Sequence, residues 1–390
     1  MATWPGLSAD DVSRDQKRTH MKVICPRLAL AGAFATVSGV VPPRSPKPIL
    51  SQVKFQAVPG EAILIGTDSE IGIRYELESA EVLQPGEVLL PCARVSAILR
   101  ELQGERVTIE ATDEATVIRG ERAEYRLPTS DPAEFPVVQG FDAVDYHILS
   151  SESLKKLIRR TVFATDTEST RYALGGVLCE LKGDGLTLAA TDTRRLAVVH
   201  GVCTAHGAGA PASVIPVIPS KAMSQIEKNL GTGDEQAWVA IRTNDVLVRT
   251  GPVTISSRLV EGRFPKYQDV IPAETPISFP LIAGAFYSAV RQAQIVTSDE
   301  SRGVDFVIAS GMMTLKSSVA EVGQSTVELP IAYEGEELTI TFDPRYVADF
   351  LKVLDPAQTI TLGLQDSESA AVFTTDDGYT YVVMPLSKDS

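Results

Sequence analysis

The feature that most constrains this chain is that one segment of it is written three times. Glu87–Leu102 (EVLLPCARVSAILREL), Ser213–Leu230 (SVIPVIPSKAMSQIEKNL) and Glu337–Leu354 (ELTITFDPRYVADFLKVL) share one order: an apolar strand, a Pro or Asp, then a short amphipathic helix. Aligning Pro91, Pro219 and Asp343 gives offsets of 128 and 124 residues. The helices carry apolar residues at Val95/Leu99/Leu102, Met223/Ile226/Leu230 and Val347/Leu351/Leu354, the spacing that puts them on one helical face. Ser220 and Asp343 stand where an N-cap would accept the first free helical N–H groups. A repeat of this length points to tandem copies of one domain.

A second helix opens each unit, at Cys25–Val41, Ser150–Thr165 and Ile282–Glu300. Between the helices, Ala62–Ser79, Leu186–Gly201 and Met312–Pro330 alternate with period two and read as strands. Gly183-Asp184, Asp377-Gly378 and Gly335-Glu336 are expected to be hairpin turns. Leu127–Val138 and Ser257–Val270 echo each other at unit ends. The pattern predicts an α+β protein of three similar domains, 21–140, 141–268 and 269–390, which suits a chain of 390 residues. Residues 1–20 are polar, lack apolar periodicity and a signal-peptide core, and are expected to be a disordered extension.

Little in the chain points to catalysis. Cys25, Cys92, Cys179 and Cys203 lie far apart, and the four histidines form no metal-ligand spacing. They read as a reduced thiol set in a cytoplasmic protein with no metal and no cofactor. No window approaches the ~20 apolar residues of a membrane helix. Asp68 and Asp192, each after a Thr at a strand end, could hold a divalent cation as in a metal-dependent phosphoesterase. Each segment offers only one or two carboxylates, so a turn in which Asp binds backbone N–H groups is the better reading. No nucleophile elbow, phosphate loop or dinucleotide fingerprint occurs.

Two clusters stand out. Lys155, Lys156, Arg159 and Arg160 fall on one predicted helix, and Arg44 and Lys47 flank a Pro-rich turn. Tyr381–Leu386 (YVVMPL) is apolar almost to Ser390, which fits either a last core strand or a binding surface.

With these segments assembled, the chain resembles the bacterial DNA polymerase III beta subunit family. The resemblance rests on VSGVVPPRSPKPIL, ATDTRRLAV, RLVEGRFPKY, SRGV and YVVMPL, in order and at the right spacing, and covers everything from Met21 onward. It implies a DNA-clamp fold of three tandem domains, with sheets outside and two short helices per domain lining a ring. It implies a homodimer on double-stranded DNA, served by a clamp loader. Its partners would be the replicative polymerase alpha subunit and other clamp-binding polymerases and repair proteins.

Carried over residue by residue, a partner-peptide pocket maps to Leu174, Thr191, Arg195, Leu196, Pro265, Val270, Tyr346, Val382, Val383, Met384, Pro385 and Leu386. Contacts to DNA map to Arg44, Tyr172 and Lys221, to which Lys155 and Arg159 of the basic helix are added. Ring closure would bring Tyr125 and Leu127 against Ile295 and Val296. Where the family usually has Gly-His before the pocket arginine, this chain has Thr193-Arg194. An aromatic common before the Arg-Gly step is Ser301 here, and the usual Arg-Leu end is replaced by Ser387–Ser390.

The net charge of −14 counts against an ordinary phosphate binder. A closed ring answers that objection, because topology holds it on DNA and only local positive potential is needed. The chain is therefore expected to be a non-catalytic processivity subunit. The rivals are the Asp68/Asp192 phosphoesterase and a repeat scaffold that does not bind DNA.

Overall fold

The three positions that align in the sequence are the N-cap residues of three helices. The computed structural model describes residues 19–166, 168, 173–208, 215–298, 302–320 and 322–386. Among these, six α-helices occur: α1 Arg27–Ser38, α2 Cys92–Glu101, α3 Ser151–Arg159, α4 Ser220–Asn229, α5 Ala283–Ala293 and α6 Pro344–Lys352. Pro91, Pro219 and Asp343 precede α2, α4 and α6. Asp343 accepts the Arg345 N–H at 3.0 Å, as its side chain predicts. Ser220 does not cap. It is the first helical residue, and the backbone turn is already set by Pro219, whose φ of −51° leads straight into the helix.

The opening helices are shorter than the sequence suggests. Cys25 belongs to the strand Thr19–Pro26, paired with Val107, and α1 begins only after Pro26. That strand also starts two residues ahead of the expected 1–20 boundary; Met1–Arg18 lie outside the described residues. After α3 and α5 the chain tightens into the 3-10 turns Val162–Ala164 and Gln294–Val296. Within the units α1 packs on α2, α3 on α4 and α5 on α6.

The chain forms two compact units: residues to Asp142 with Gly251–Ser256, and Ala143–Thr250 with Ser257 onward. In the first, five strands run in the order Glu81–Gln84, Thr19–Pro26, Arg106–Thr112, Thr116–Arg119 and Glu124–Leu127. A second layer orders Ile71–Leu77, Glu61–Thr67, Gln52–Val58 and Gly86–Pro91. Gln52–Val58 alternates half-buried and buried residues along its length, as period two requires.

The second unit contains both later repeats. A sheet of eight strands joins them, in the order Val217–Pro219, Gly176–Lys182, Gly185–Thr191, Arg195–Val202, Thr380–Val383, Ala371–Thr375, Thr359–Leu364 and Ile277–Ile282. The join is the antiparallel ladder Arg195↔Val383 to Val198↔Thr380. Gly183 and Gly378 take positive φ in the expected hairpins. Gly335-Glu336 departs from expectation. The strands on either side, Gly323–Pro330 and Leu338–Phe342, are the two outer strands of a four-stranded sheet, so these residues lie in a crossover.

One turn is built twice. Thr67 Oγ1 donates to the Ile71 carbonyl at 2.8 Å while Asp68 Oδ1 accepts from the N–H groups of Glu70 and Ile71. Thr191 Oγ1 donates to the Arg195 carbonyl at 2.7 Å while Asp192 Oδ1 accepts from the N–H groups of Arg194 and Arg195. Both aspartates therefore do the structural work of a turn. Each turn forces a non-glycine residue to positive φ, Ser69 at 84° and Thr193 at 75°. A left-handed L-residue costs about 1–2 kcal/mol, and glycine's extra chain entropy costs about 0.5–1 kcal/mol. Thr193→Gly is accordingly expected to stabilise the fold by about 0.5–1 kcal/mol, read as a higher urea midpoint at unchanged m-value.

Candidate functional site

The seam between the two later repeats opens into a cleft of about 190 Å³. The Thr191 turn and the strand after it supply Thr191, Arg195 and Leu196. The segment after Phe264 supplies Pro265 and Val270, and the last strand supplies Val382 and Met384. Seven of the twelve residues proposed for a pocket from sequence thus line one cavity. Thr193, Arg194, Lys266 and Tyr267 also line it; Thr193 and Arg194 stand where the family has Gly-His but were not placed in the pocket from sequence, and Lys266 and Tyr267 were missed. Their signal was present, since all four lie inside two of the segments that carry the resemblance, ATDTRRLAV and RLVEGRFPKY.

The other five proposed residues stand behind the wall or beside it. Leu174 and Val383 are buried. Tyr346 stacks under Arg195, with the guanidinium 4.6 Å from its ring centre. Pro385 and Leu386 are half-buried, and the Leu386 N–H donates to the Thr341 carbonyl at 2.8 Å. The apolar terminus is both things the sequence allowed. Tyr381, Val382 and Val383 are core, whereas Met384 is 45% exposed and faces the cleft.

Arg195 is held from three sides. Nε donates to Asp192 Oδ2 at 2.9 Å, one terminal nitrogen to Asp349 Oδ2 at 2.7 Å, and the other to the Phe163 carbonyl at 2.7 Å. Burial opposes its charge, but Tyr381, Asp349 and Asp192 outweigh that and raise its pKa further. A side chain so fixed loses little freedom when a ligand arrives. The volume suits one or two aliphatic or aromatic side chains of a short linear peptide and is small for a cofactor.

The basic helix is largely committed to internal contacts. Lys155 Nζ donates to the Leu230 carbonyl at 3.3 Å, and Arg159 Nε to Glu227 at 2.6 Å. Lys156 and Arg160 both reach Asp377 Oδ2 at 2.8 Å. Arg160 is not part of an exposed face: it is buried over the Tyr379 ring, and the Tyr379 hydroxyl donates to its carbonyl at 2.6 Å. With Glu152 in the first turn of the same helix, four cations face three carboxylates, which leaves a small local positive charge. Lys221 on α4 is exposed and, in the first unit, so is Arg44; Tyr172, Ser301 and Ser387–Ser390 lie outside the described residues.

The residues proposed for ring closure fall at sheet edges. Tyr125 and Leu127 lie on the edge strand Glu124–Leu127, with Leu127 turned into the core. Ile295 is 75% exposed, and Val296 is half-buried near the edge strand Gly323–Pro330. Burial pushes the Cys25 and Cys179 thiols up to about 12, which keeps both protonated and unreactive.

A thrice-repeated pair of helices on antiparallel sheets, with a peptide-sized apolar cleft between the later repeats, defines the DNA-clamp class. Family models for the DNA polymerase III beta subunit match in series: the N-terminal domain over residues 21–139, the central domain over 148–266 and the C-terminal domain over 268–387. The beta sliding clamp of Escherichia coli (strain K12) is 28% identical over 370 residues, covering 94% of this chain and 100% of its own length. The DNA polymerase sliding clamp from Bacillus subtilis superposes with a TM-score of 0.88 at 27% identity, covering 95% of this chain and 100% of that one. A Pseudomonas aeruginosa sliding clamp bound to griselimycin gives 0.85 at 26%, covering 94% and 100%. The chain belongs to the DNA polymerase III beta subunit family, the sliding clamps, and is a non-catalytic processivity subunit of DNA replication. Neither the phosphoesterase nor the DNA-free scaffold finds support, and no helix among the described residues is long and apolar enough to cross a membrane.

Asp377 gives a pH-dependent test of the seam. Burial opposes its ionisation, but hydrogen bonds from Lys156, Thr375 and Arg160 hold the carboxyl well below the usual carboxylate range. A depressed carboxyl contributes stability that is full above its unfolded pKa of about 3.9 and is lost as pH falls through the folded value. The pair is part-exposed, so Asp377→Asn should cost about 2 kcal/mol at pH 7. Wild type should lose that advantage progressively below about pH 4, where urea midpoints of the two proteins converge.

Proposed function

We propose that two copies of this chain close head to tail into a ring on duplex DNA, with domains at 21–140, 141–268 and 269–390. The cleft around Arg195 and Met384 then docks short peptides of the clamp loader, the replicative polymerase alpha subunit and other polymerases and repair proteins. The observation that carries the reading is the cleft itself: an anchored arginine, aliphatic walls and one exposed, adaptable methionine at a seam. The griselimycin-bound Pseudomonas aeruginosa relative, whose chain superposes over its whole length, supports a ligand-accepting surface on this fold.

Ring closure joins Tyr125 and Leu127 of one copy to Ile295 and Val296 of the next. Two edge strands support it, because a free strand edge is a template for pairing. DNA is met by Arg44, Tyr172, Lys221, Lys155 and Arg159, weakly enough that encirclement rather than affinity retains the ring. The protein works in the cytoplasm.

Two measurements test this. A Gln-Leu-x-Leu-Phe peptide should bind at micromolar Kd, and Met384→Ala should weaken it by about 1–2 kcal/mol in calorimetry. Unaltered binding to Met384→Ala would remove the cleft from consideration. Loaded by its clamp loader and ATP, wild type should stay on nicked circular DNA at moderate salt and leave when that DNA is linearised. Ile295→Ala/Val296→Ala should sediment as a folded monomer and not be retained. Equal retention on circular and linear DNA would defeat the ring.

A further inference from the structure

Three cations line the cleft, and no carboxylate does: Arg194, Arg195 and Lys266. Their situations differ. Arg195 spends its charge inside the protein, on Asp192 and Asp349. Both of these carboxylates are engaged by it, and the exposed carboxylate between the lining residues Tyr267 and Val270 is Asp269. Asp192 Oδ1 accepts two backbone N–H groups while its Oδ2 accepts Arg195, and Asp349 Oδ2 accepts Arg195.

Arg194 and Lys266 are exposed, and their bonds run through the backbone alone. The Arg194 N–H donates to Asp192 and its carbonyl accepts from Met384, while the Lys266 carbonyl accepts from Asp269. Among the described residues neither side chain has a hydrogen-bond or ion-pair partner. One comes from the Thr191 turn and the other from the segment after Phe264. A chain with a 14-charge acidic excess thus presents two uncompensated cations around an apolar hole.

We infer that the cleft selects peptides carrying carboxylates beside their apolar anchors, with Arg194 and Lys266 as the specificity-determining residues; this rests on the reading of the cleft as a peptide dock. The apolar anchors supply affinity by leaving water. The two cations supply discrimination, since an acidic flank gains an ion pair and a basic flank meets like charge. Each exposed pair is worth roughly a two- to five-fold preference, and salt screens it.

The test uses the full chain and fluorescent peptides with a Gln-Leu-Ser-Leu-Phe core flanked on both sides by Asp-Asp, Asn-Asn or Lys-Lys, followed by anisotropy. At about 50 mM salt the Asp peptide should bind roughly five- to twenty-fold tighter than the Asn peptide, and the Lys peptide weaker than both. The Asp-to-Asn ratio should fall toward one at about 0.5 M salt. It should collapse in Arg194→Gln/Lys266→Gln and invert toward the Lys peptide in Arg194→Glu/Lys266→Glu, with circular dichroism confirming that both fold. Equal Kd for Asp and Asn peptides at low salt would overturn the inference while leaving the dock intact. An Asp preference unchanged in both double variants would overturn the assignment to these residues. Displacement of the Asp peptide by a single-stranded oligonucleotide would make the rim a phosphate site and overturn it as well. Failure of all three peptides to bind would instead defeat the dock itself.

Discussion

The second unit depends on one short ladder, Arg195–Val198 against Thr380–Val383. Strand pairing of this kind is directional and register-specific, and a slip of one residue would turn every side chain to the other face. Here the register sets Arg195 opposite Val383, and the ladder runs one rung further, from the Met384 N–H to the Arg194 carbonyl at 2.8 Å. The fixed cation and the adaptable thioether therefore take their places on the cleft from the same four residue pairs. The Phe350 and Tyr381 rings, stacked at 4.8 Å, and the Tyr381 hydroxyl bound to the Tyr346 carbonyl hold the platform beneath.

Electrostatics in this molecule is a matter of where charge is left over, not of its total. Most cations of the basic helix are matched inside the protein by Glu227, Asp377 or a helix-end carbonyl. Such pairs organise the junction of α3 with the Ala371–Val383 hairpin and subtract from what a ligand can feel. The residual positive positions are few and local, which suits a protein whose acidic bulk disfavours indiscriminate contact with nucleic acid.

Much of the architecture was legible because repetition averages out local ambiguity. Three weak strand-then-helix signals in register located the caps at Pro91, Pro219 and Asp343. Reading one copy alone misled, as when Ser220 was favoured over Pro219 on side-chain preference. Helix ends were overdrawn because apolar residues such as Cys25 serve a strand as well as a helix. Gly335-Glu336 carried hairpin chemistry but no information on which strands would pair. At the cleft, the walls were legible through segments matched to a family. The contributions of Arg194 and Lys266 were not, because their importance lies in the carboxylates that other residues withhold from them, which only three-dimensional bookkeeping reveals.

The doubled Thr-Asp turn has a use beyond structure. In the first unit Phe135 and Val138 pack with Ile63, Ile65 and Leu89; in the second Phe264 and Tyr267 pack with Leu178, Leu196 and Val382, and the same segment borders the cleft. The two turns share the same left-handed backbone at Ser69 and Thr193, and the second of them lines the cleft. Each chain thus carries its own calibration standard. The same replacement made at both positions reports the backbone's tolerance at Ser69, and any loss of peptide binding particular to Thr193 belongs to the partner that docks at the cleft.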